Sequence, residues 1–416
     1  MKRLFRRTAR LLLDSSAGAY LKSLVGDSGP ARRKGVHFHG AKYPAEVIAY
    51  FGDSPDKLYQ IEQWVPALEE LAQHRPVALV MRNAESFAIA KQLTALPLIL
   101  AETQPDLIDL YADNKYRLAI YVNNSMRNFQ SMAEPSIIHV HVDHGESDKT
   151  SSISNQLKAY DKVFVAGQAA KERCLRALWG FEPSKLVSIG RPPLDGDYKS
   201  ILPADKRWTV LYAPTWQGEN EANNFTSLDL LGSDIVQQLL DSGVRVVYRP
   251  HPRIAEMGDS ETQRAHDQIC KSLSSANSRG GRHVVSTDCA LFDLFEDVDV
   301  LVTDVSSVGL DFLYLHPDRG LILTDRHNDS VRMQTISPIG AELARITADT
   351  VGDIARMIGD SKSDEAALAS RLRLKARYFG DLSEGQSTSR FLEAVEEALD
   401  ERESNREAPG EDQFSA

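Results

Sequence analysis

The segment HVHVDHGESDK, residues 139–149, combines three histidines with acidic residues and a glycine. His144 is a candidate general base, because Gly145 lets the backbone turn sharply and exposes the ring just after a strand. Glu146 or Asp148 could set the tautomer of the ring and raise its basicity. The same ring could instead hydrogen-bond a bound phosphate without proton transfer, and the residues alone leave both roles open.

Two other histidines of this segment lie within the strand itself. His139 and His141 alternate along it and, with Asp143, could in principle bind a metal ion. A strand face flanked by isoleucine and valine is more typical of a core with hydrogen-bonded imidazoles. We therefore expect neither a metal nor another cofactor.

Two further segments carry groups that stabilise anions. In VRVVYRPHP, Arg249 offers a forked guanidinium and His251 a second donor, on a loop stiffened by prolines. In VDVLVTDVSS, Asp304 is followed by Ser306 and Ser307 at the start of a helix, where unpaired N–H groups and the helix dipole favour an anion. Each segment alone could equally be an ordinary capped loop.

Three more positions complete the candidate set. Thr215 follows the strand TVLYAP, and Thr388 and Arg390 lie in GQSTSR at the start of the last helix, where simple helix capping is the alternative. Asp311, one turn beyond Ser307, could orient a partner histidine or face solvent. All of these groups follow strands or begin helices.

The elements that position these residues alternate along the chain. Buried strands are predicted at residues 76–81, 96–102, 116–122, 136–142, 161–167, 185–190, 209–215, 244–250, 283–286, 298–304 and 320–325. Helical patterns lie between most of them, which predicts parallel sheets covered on both faces. A stretch rich in proline and glycine at 190–208 separates two such halves. We expect an α/β fold of two Rossmann-like, doubly wound domains that face each other across a cleft, with the C-terminal helix crossing back.

Composition excludes several classes of protein. The net charge of −11 argues against general nucleic-acid binding. Cys174, Cys270 and Cys289 are widely spaced, which fits a reducing cytoplasm and predicts no disulfide framework. The segment MKRLFRRTARLLL could lie as a basic amphipathic helix on an anionic leaflet, or could be a solvated terminus.

Taken together, the motifs resemble the CDP-glycerol glycerophosphotransferase family of teichoic-acid synthesis, whose fold is GT-B. The family's HGTPLK, YAPTWR, R-x-H-P, TDYSS with DF, and GKAS-x-R correspond here to HGESDK, YAPTWQ, RPHP, TDVSSVGLDF and GQSTSR. The resemblance spans roughly residues 116–395. Gln217 and Gln386 replace an arginine and a lysine of the family, so two phosphate-directed cations are lost and the donor or acceptor could differ from the usual ones.

The resemblance implies transfer of a polyol phosphate from a CDP-activated donor to a hydroxyl of a lipid-linked or glycan acceptor. His144 and His251 would be the catalytic residues, with Glu146 and Asp311 orienting them. The groups expected to bind the donor pyrophosphate are Gly145, Thr215, Arg249, Asp304, Ser306, Ser307, Thr388 and Arg390. A GT-B glycosyltransferase that uses a nucleotide sugar and a non-catalytic nucleotide-binding protein stay open as alternatives.

Four regions are expected on this basis. Residues 1–33 form the basic N-terminal segment, 34–195 an α/β domain on the acceptor side, 196–400 a nucleotide-donor α/β domain with the terminal helix, and 401–416 a disordered tail. We expect a cytoplasmic protein on the inner face of the cell membrane, held there by the basic segment.

Overall fold

The computed structural model describes residues 42–149, 153–218, 221–254, 260–287, 291–382 and 385–407. The predicted basic segment 1–33 and the last residues of the predicted tail, 408–416, lie outside them. The chain divides into two compact units, Met1–Val140 and His141–Ala416. Within the described ranges, no helix has the length and apolar composition needed to cross a membrane.

Seven strands form the first sheet. They are β1 (Val47–Phe51), β2 (Val77–Met81), β3 (Leu98–Leu100), β4 (Leu118–Tyr121), β5 (Ile138–His141), β6 (Lys162–Val165) and β7 (Leu186–Ser188). Their order is β3-β2-β1-β4-β5-β6-β7, and β1 pairs in parallel with both β2 and β4. The order reverses between β1 and β4, which makes this the topological switch point of the sheet.

Six strands form the second sheet. They are β8 (Thr209–Ala213), β9 (Arg245–Tyr248), β10 (Val284–Val285), β11 (Val300–Thr303), β12 (Gly320–Thr324) and β13 (Arg345–Ile346). Their order is β10-β9-β8-β11-β12-β13, with β8 parallel to both β9 and β11. Its switch point lies between β8 and β11.

Helices follow most strands, as expected for parallel sheets. In the first unit they are α1 (Tyr59–Glu62), α2 (Val65–His74), α3 (Ala84–Ala90), α4 (Gln104–Asp113) and α5 (Asn128–Met132). In the second unit they are α6 (Gln168–Ala177), α7 (Gly232–Asp241), α8 (Ser260–Asn277), α9 (Leu291–Phe295), α10 (Ser307–Leu315), α11 (Ser330–Ile336), α12 (Pro338–Glu342), α13 (Ile354–Ser363), α14 (Glu365–Phe379) and α15 (Gln386–Glu407). Short 3-10 helices cover Pro55–Lys57, Asn155–Ala159, Pro183–Lys185, Pro192–Leu194, Glu221–Asn223 and Val351–Asp353.

The strands of the second sheet are mostly apolar because both of their faces are covered. Leu211 and Leu301 pack into one core cluster, while Val210 and Val302 pack into another. The side chains of a strand alternate between faces, so each face buries its own cluster against helices. Charged residues are thereby excluded from the strand interiors, and Arg245 and Arg345 stand at the first positions of β9 and β13.

The terminal helix α15 packs on the first sheet. The ring of Phe391 lies 6.5 Å from that of Phe164 in β6, measured between centroids. Lys162 of the same strand pairs with Glu401 at 2.7 Å. The helix continues to Glu407, so the first part of the predicted disordered tail is helical.

Candidate functional site

The turn after β5 carries the candidate base. Asp143 has a φ of 55°, a left-handed conformation that aspartate tolerates, and it turns the chain directly before His144. Its Oδ1 accepts the His144 backbone N–H at 2.7 Å and lies 3.0 Å from Nδ1 of the ring. Burial raises the pKa of Asp143, but the hydrogen bond and charge of His144 outweigh it and keep that pKa below its usual range. The carboxylate that contacts the ring is therefore Asp143.

The prediction that Glu146 or Asp148 orients this ring is wrong. Both carboxylates are buried and turn to Arg173 of α6, which contacts Glu146 and donates from Nη1 to Asp148 at 3.0 Å. Asp148 Oδ2 also accepts from the hydroxyls of Ser337, at 2.8 Å, and Tyr378. Burial raises the pKa of both carboxyls, with Arg173 opposing it. This network fastens the loop to its neighbouring helices.

A buried ion pair holds the main chain of the same turn. Arg191 donates from Nε to Asp311 at 3.1 Å and from Nη2 to the carbonyl oxygen of His144 at 2.9 Å. Asp311 thus acts on the histidine backbone through Arg191. A Cβ added to Gly145 would lie 3.1 Å from Cβ of Ser307, so this position favours glycine and the turn packs on the first turn of α10.

The first turn of α10 suits an anion. Ser306, its N-cap residue, makes no side-chain capping bond. In the described part of the chain its Oγ is buried and has no hydrogen-bond partner. The first N–H groups of a helix lack partners within the helix and carry a partial positive charge. Ser306 Oγ and these amides are therefore suited to hold an oxyanion.

Asp304, directly after β11, is fully buried. Its carboxylate accepts from the backbone N–H groups of Thr215, at 2.6 Å, and Ser227, at 3.1 Å, and from the hydroxyl of Thr324. Because Asp304 is fully buried and its carboxylate already accepts these three hydrogen bonds, its predicted contact with the pyrophosphate is corrected to a role in holding the loop after β8 against the end of β12.

Lys149, at the end of the same loop as His144, brings a cation to this edge. Its Nζ donates to Thr215 Oγ1 at 2.8 Å and lies 5.9 Å from the centroid of the Phe225 ring. Burial lowers the pKa of Lys149 to about 8, while the charge of Asp304 opposes that shift. Thr215, a predicted phosphate ligand, is thereby also the anchor of this lysine.

His251 lies on the loop after β9. Burial, then the charges of Lys149, Arg253 and Arg249, lower its pKa to about 3, so the ring is neutral at pH 7. Its Nδ1 accepts the backbone N–H of Arg253 at 3.2 Å, which assigns the ring proton to Nε2. The ring can therefore donate one hydrogen bond. Arg249 donates from Nη1 to Ser286 at 3.3 Å.

The start of α15 fastens the proline-rich segment after β7. The Thr388 N–H donates to Asp195 at 2.6 Å, and Ser387 Oγ accepts the N–H of Arg191 at 2.9 Å. Arg390 is exposed and, within the described ranges, has no hydrogen bond or ion pair with the other candidate residues. The contact of Thr388 is thus a helix-capping contact, made by its backbone N–H with the Asp195 carboxylate.

The histidines within β5 are core residues. His139 Nδ1 lies 2.9 Å from the Tyr121 hydroxyl, and its Nε2 lies 3.0 Å from the Glu134 carbonyl oxygen. The His141 ring packs at 5.0 Å from that of Tyr160, and burial lowers its pKa to about 4.

The unit His141–Ala416 thus joins most of the candidates. The turn of His144 and Gly145 contacts α10 and Arg191, and its continuation to Lys149 reaches the loop after β8. Sequence reasoning assigned no such role to Lys149, Arg173 and Arg191, and it considered Asp143 only as a metal ligand. Lys149 lies within the motif HGESDK and Arg191 within the proline-rich stretch 190–208, whereas no signal marked Arg173.

Two parallel α/β sheets with polar strand ends define a Rossmann-like protein of the GT-B type, as predicted. The model of the CDP-glycerol:poly(glycerophosphate) glycerophosphotransferase family matches residues 133–397, more than half of the chain. The chain belongs to this family.

Solved structures share the fold at low sequence identity. The wall teichoic acid polymerase TagF has a TM-score of 0.54 and 14% identity, over 97% of this chain and 99% of that one. A UDP-GlcNAc 2-epimerase from Methanocaldococcus jannaschii has a TM-score of 0.57 and 12% identity, over 84% and 99%. A glycosyltransferase from Rickettsia africae has a TM-score of 0.54 and 10% identity, over 86% and 99%. No curated protein matches the chain.

Proposed function

We propose that this chain transfers a glycerol-phosphate-like group from a CDP-activated donor to a hydroxyl of a lipid-linked or glycan acceptor in teichoic-acid-type polymer synthesis. One observation carries the proposal beyond family membership. The turn of His144 and Gly145 packs on the first turn of α10, and Arg191 fixes its carbonyl. A base candidate therefore lies beside a helix N-terminus suited to an oxyanion.

In the proposed reaction, the acceptor oxygen attacks the donor phosphorus that bears the polyol. A phosphorus–oxygen bond forms there as the bond to CMP breaks, and CMP leaves with the electron pair. Nε2 of His144 takes the acceptor proton, because Nδ1 faces Asp143. Asp143 stabilises the imidazolium that results.

The charge that develops on the leaving phosphate needs cations and N–H donors. We assign these roles to the first turn of α10, to Lys149, to Arg249 and to the Nε2–H of His251. Fixed donors of this kind stabilise a transition state without reorganising, so the proposal requires no metal.

The test is a donor screen with mass spectrometry of the released nucleotide. CMP release from CDP-glycerol, abolished in His144→Ala and His251→Ala, would support the proposal. Release of UDP or GDP from nucleotide sugars would instead indicate a glycosyltransferase. Nucleotide binding with no turnover of any donor would indicate a non-catalytic protein.

We also propose that the protein is cytoplasmic and lies on the inner face of the cell membrane through residues 1–33. Five basic residues among the first thirteen support contact with anionic headgroups. Co-sedimentation with anionic and with neutral vesicles tests this, and equal binding to both would contradict it.

A further inference from the structure

The first sheet has a switch point that the proposed donor site leaves unused. In doubly wound sheets, ligands bind outside the carboxyl ends of the strands where the strand order reverses. The proposed donor site agrees with this rule, because Thr215 follows β8 and Ser306 follows β11. In the first sheet the equivalent strands are β1 and β4, both within the unit Met1–Val140.

The loops after these two strands are polar and tied together. Asp53, after β1, accepts from Asn123 Nδ2 at 2.9 Å and from Ser125 Oγ at 3.1 Å, both after β4. Lys57 lies 3.5 Å from the same carboxylate, and Asn123 also donates to Gln60 at 2.7 Å. The charge of Asp53 is thereby offset locally, and the two loops form one preorganised edge.

Two arginines cross this edge. Arg127, from the loop after β4, donates from Nη1 to the carbonyl oxygen of Gly52 after β1 at 2.9 Å. A Cβ added to Gly52 would lie 2.9 Å from Cβ of Arg127, so only glycine lets the arginine chain pass. Arg82, which follows β2 and is 7% exposed, donates from Nη1 to Tyr50 at 3.0 Å and to Gln130 at 2.7 Å.

The hydrogen bonds of these two guanidinium groups go to neutral acceptors. Among the described residues, neither Arg82 nor Arg127 forms an ion pair with a carboxylate. Nε of Arg82 and Oδ1 of Asn124 are buried without a hydrogen-bond partner in that same part of the chain. Buried charges and buried polar atoms normally have partners. At this edge, the two guanidinium groups are therefore suited to bind an anion, and Oδ1 of Asn124 is suited to accept a hydrogen bond.

We propose that Arg82, Asn124 and Arg127, held by Asp53 and Asn123, form a second ligand site, the β1–β4 site, which binds a phosphorylated polyol. The guanidinium groups bind the phosphate oxygens, and a polyol hydroxyl donates to Oδ1 of Asn124. The identification of this ligand with the growing end of the acceptor rests on the proposed function.

The test is calorimetric titration of the full chain with glycerol phosphate, with CMP present to occupy the donor site. Arg127→Gln is the main variant, because Arg127 is only half-buried and its removal leaves the core intact. We expect its affinity to fall about tenfold or more, the loss of one charge-assisted hydrogen bond. Asn124→Ala should weaken binding less. The control is Arg176→Gln, an exposed arginine of α6 with no hydrogen bond or ion pair in the described part of the chain.

Unchanged affinity in Arg127→Gln, or an equal loss in Arg176→Gln, would overturn the β1–β4 site. In the transfer assay, Arg127→Gln should raise the KM for the acceptor and leave kcat and CDP affinity unchanged. Binding of glycerol phosphate that depends on Arg127, in a chain that turns over no CDP-activated donor, would refute the proposed function and leave the β1–β4 site standing.

Discussion

Arg173 compensates two buried carboxylates, and its removal gives the sharpest test of how the candidate loop is held. The side chains of Arg173, Glu146 and Asp148 are 13%, 7% and 1% exposed. Replacing Arg173 by methionine keeps most of its volume but leaves both carboxylates in a medium of low polarity. Breaking a buried pair in this way costs about 3–5 kcal/mol, against about 0.2–1 kcal/mol for an exposed pair.

The destabilisation caused by Arg173→Met should depend on pH, and the direction of this dependence follows from the two carboxyl pKa shifts. Burial raises the folded-state pKa of Glu146 and Asp148 above the unfolded values, and the loss of Arg173 raises them further. In the variant, the two carboxylates of the folded chain therefore bind protons more readily than those of the unfolded chain. The loss of free energy of unfolding is complete above the folded-state pKa and decreases as the pH falls towards the unfolded-state pKa. Arg173→Met should therefore be less destabilising in acid than at pH 8.

The assay is urea unfolding at several pH values, because guanidinium salts would screen the ion pairs. The matched control is Arg377→Gln, which removes an exposed pair with Glu172 whose side chains are 44% and 38% exposed. Adding Glu146→Gln and Asp148→Asn to Arg173→Met should restore most of the free energy of unfolding. A loss in Arg173→Met as small as that in Arg377→Gln, at pH 8, would refute the reasoning.

Two further predictions concern the proposed chemistry. Asp143→Asn keeps a residue that tolerates a left-handed backbone, yet the neutral amide cannot stabilise an imidazolium, so transfer should slow about tenfold or more. CDP affinity, measured in parallel, should not change, and an equal fall in affinity would contradict the role. Because burial lowers the pKa of Lys149 to about 8, its charge is present below that pH and lost above it, so CDP affinity should fall as the pH rises through about 8. Lys149→Arg keeps its charge and should remove this pH dependence of CDP affinity. Titration calorimetry between neutral and alkaline pH measures it, and a fall in affinity that persists in Lys149→Arg would contradict the role of Lys149.

The sequence predicted the strands best where apolar residues run without interruption. The run at 76–81 is β2 (Val77–Met81), and the run at 298–304 contains β11 (Val300–Thr303). The central strand β1 (Val47–Phe51) was not among the predicted strands, because a run as short as VIAYF fits a buried helix segment as well as a strand. This segment is a strand because it pairs with β2 on one edge and with β4 on the other, and composition does not reveal such tertiary pairing.

The candidate site, like the strands, could be predicted from the sequence only in part. Residues directly after parallel strands, such as His144 after β5 and Ser306 after β11, could be predicted because each sheet brings such positions to its carboxyl edge. The contacts of Glu146 could not, because its partner Arg173 is distant in sequence and meets it only when α6 packs beside the loop. Asp143 was overlooked as a partner of His144, since its left-handed φ is what lets adjacent residues meet.

HGESDK differs from the family's HGTPLK at positions 146–148. The ring of His144 is held by Asp143 and its carbonyl by Arg191, and neither contact uses the side chains at positions 146–148. Glu146 and Asp148 instead pair with Arg173 of α6, whose cation compensates both carboxylates. Glu146 and Asp148 therefore anchor this loop to α6 and take no part in the two contacts that hold the candidate base. We therefore expect any difference in donor or acceptor from the rest of the family to arise at other positions, such as Gln217 and Gln386, where an arginine and a lysine of the family are replaced.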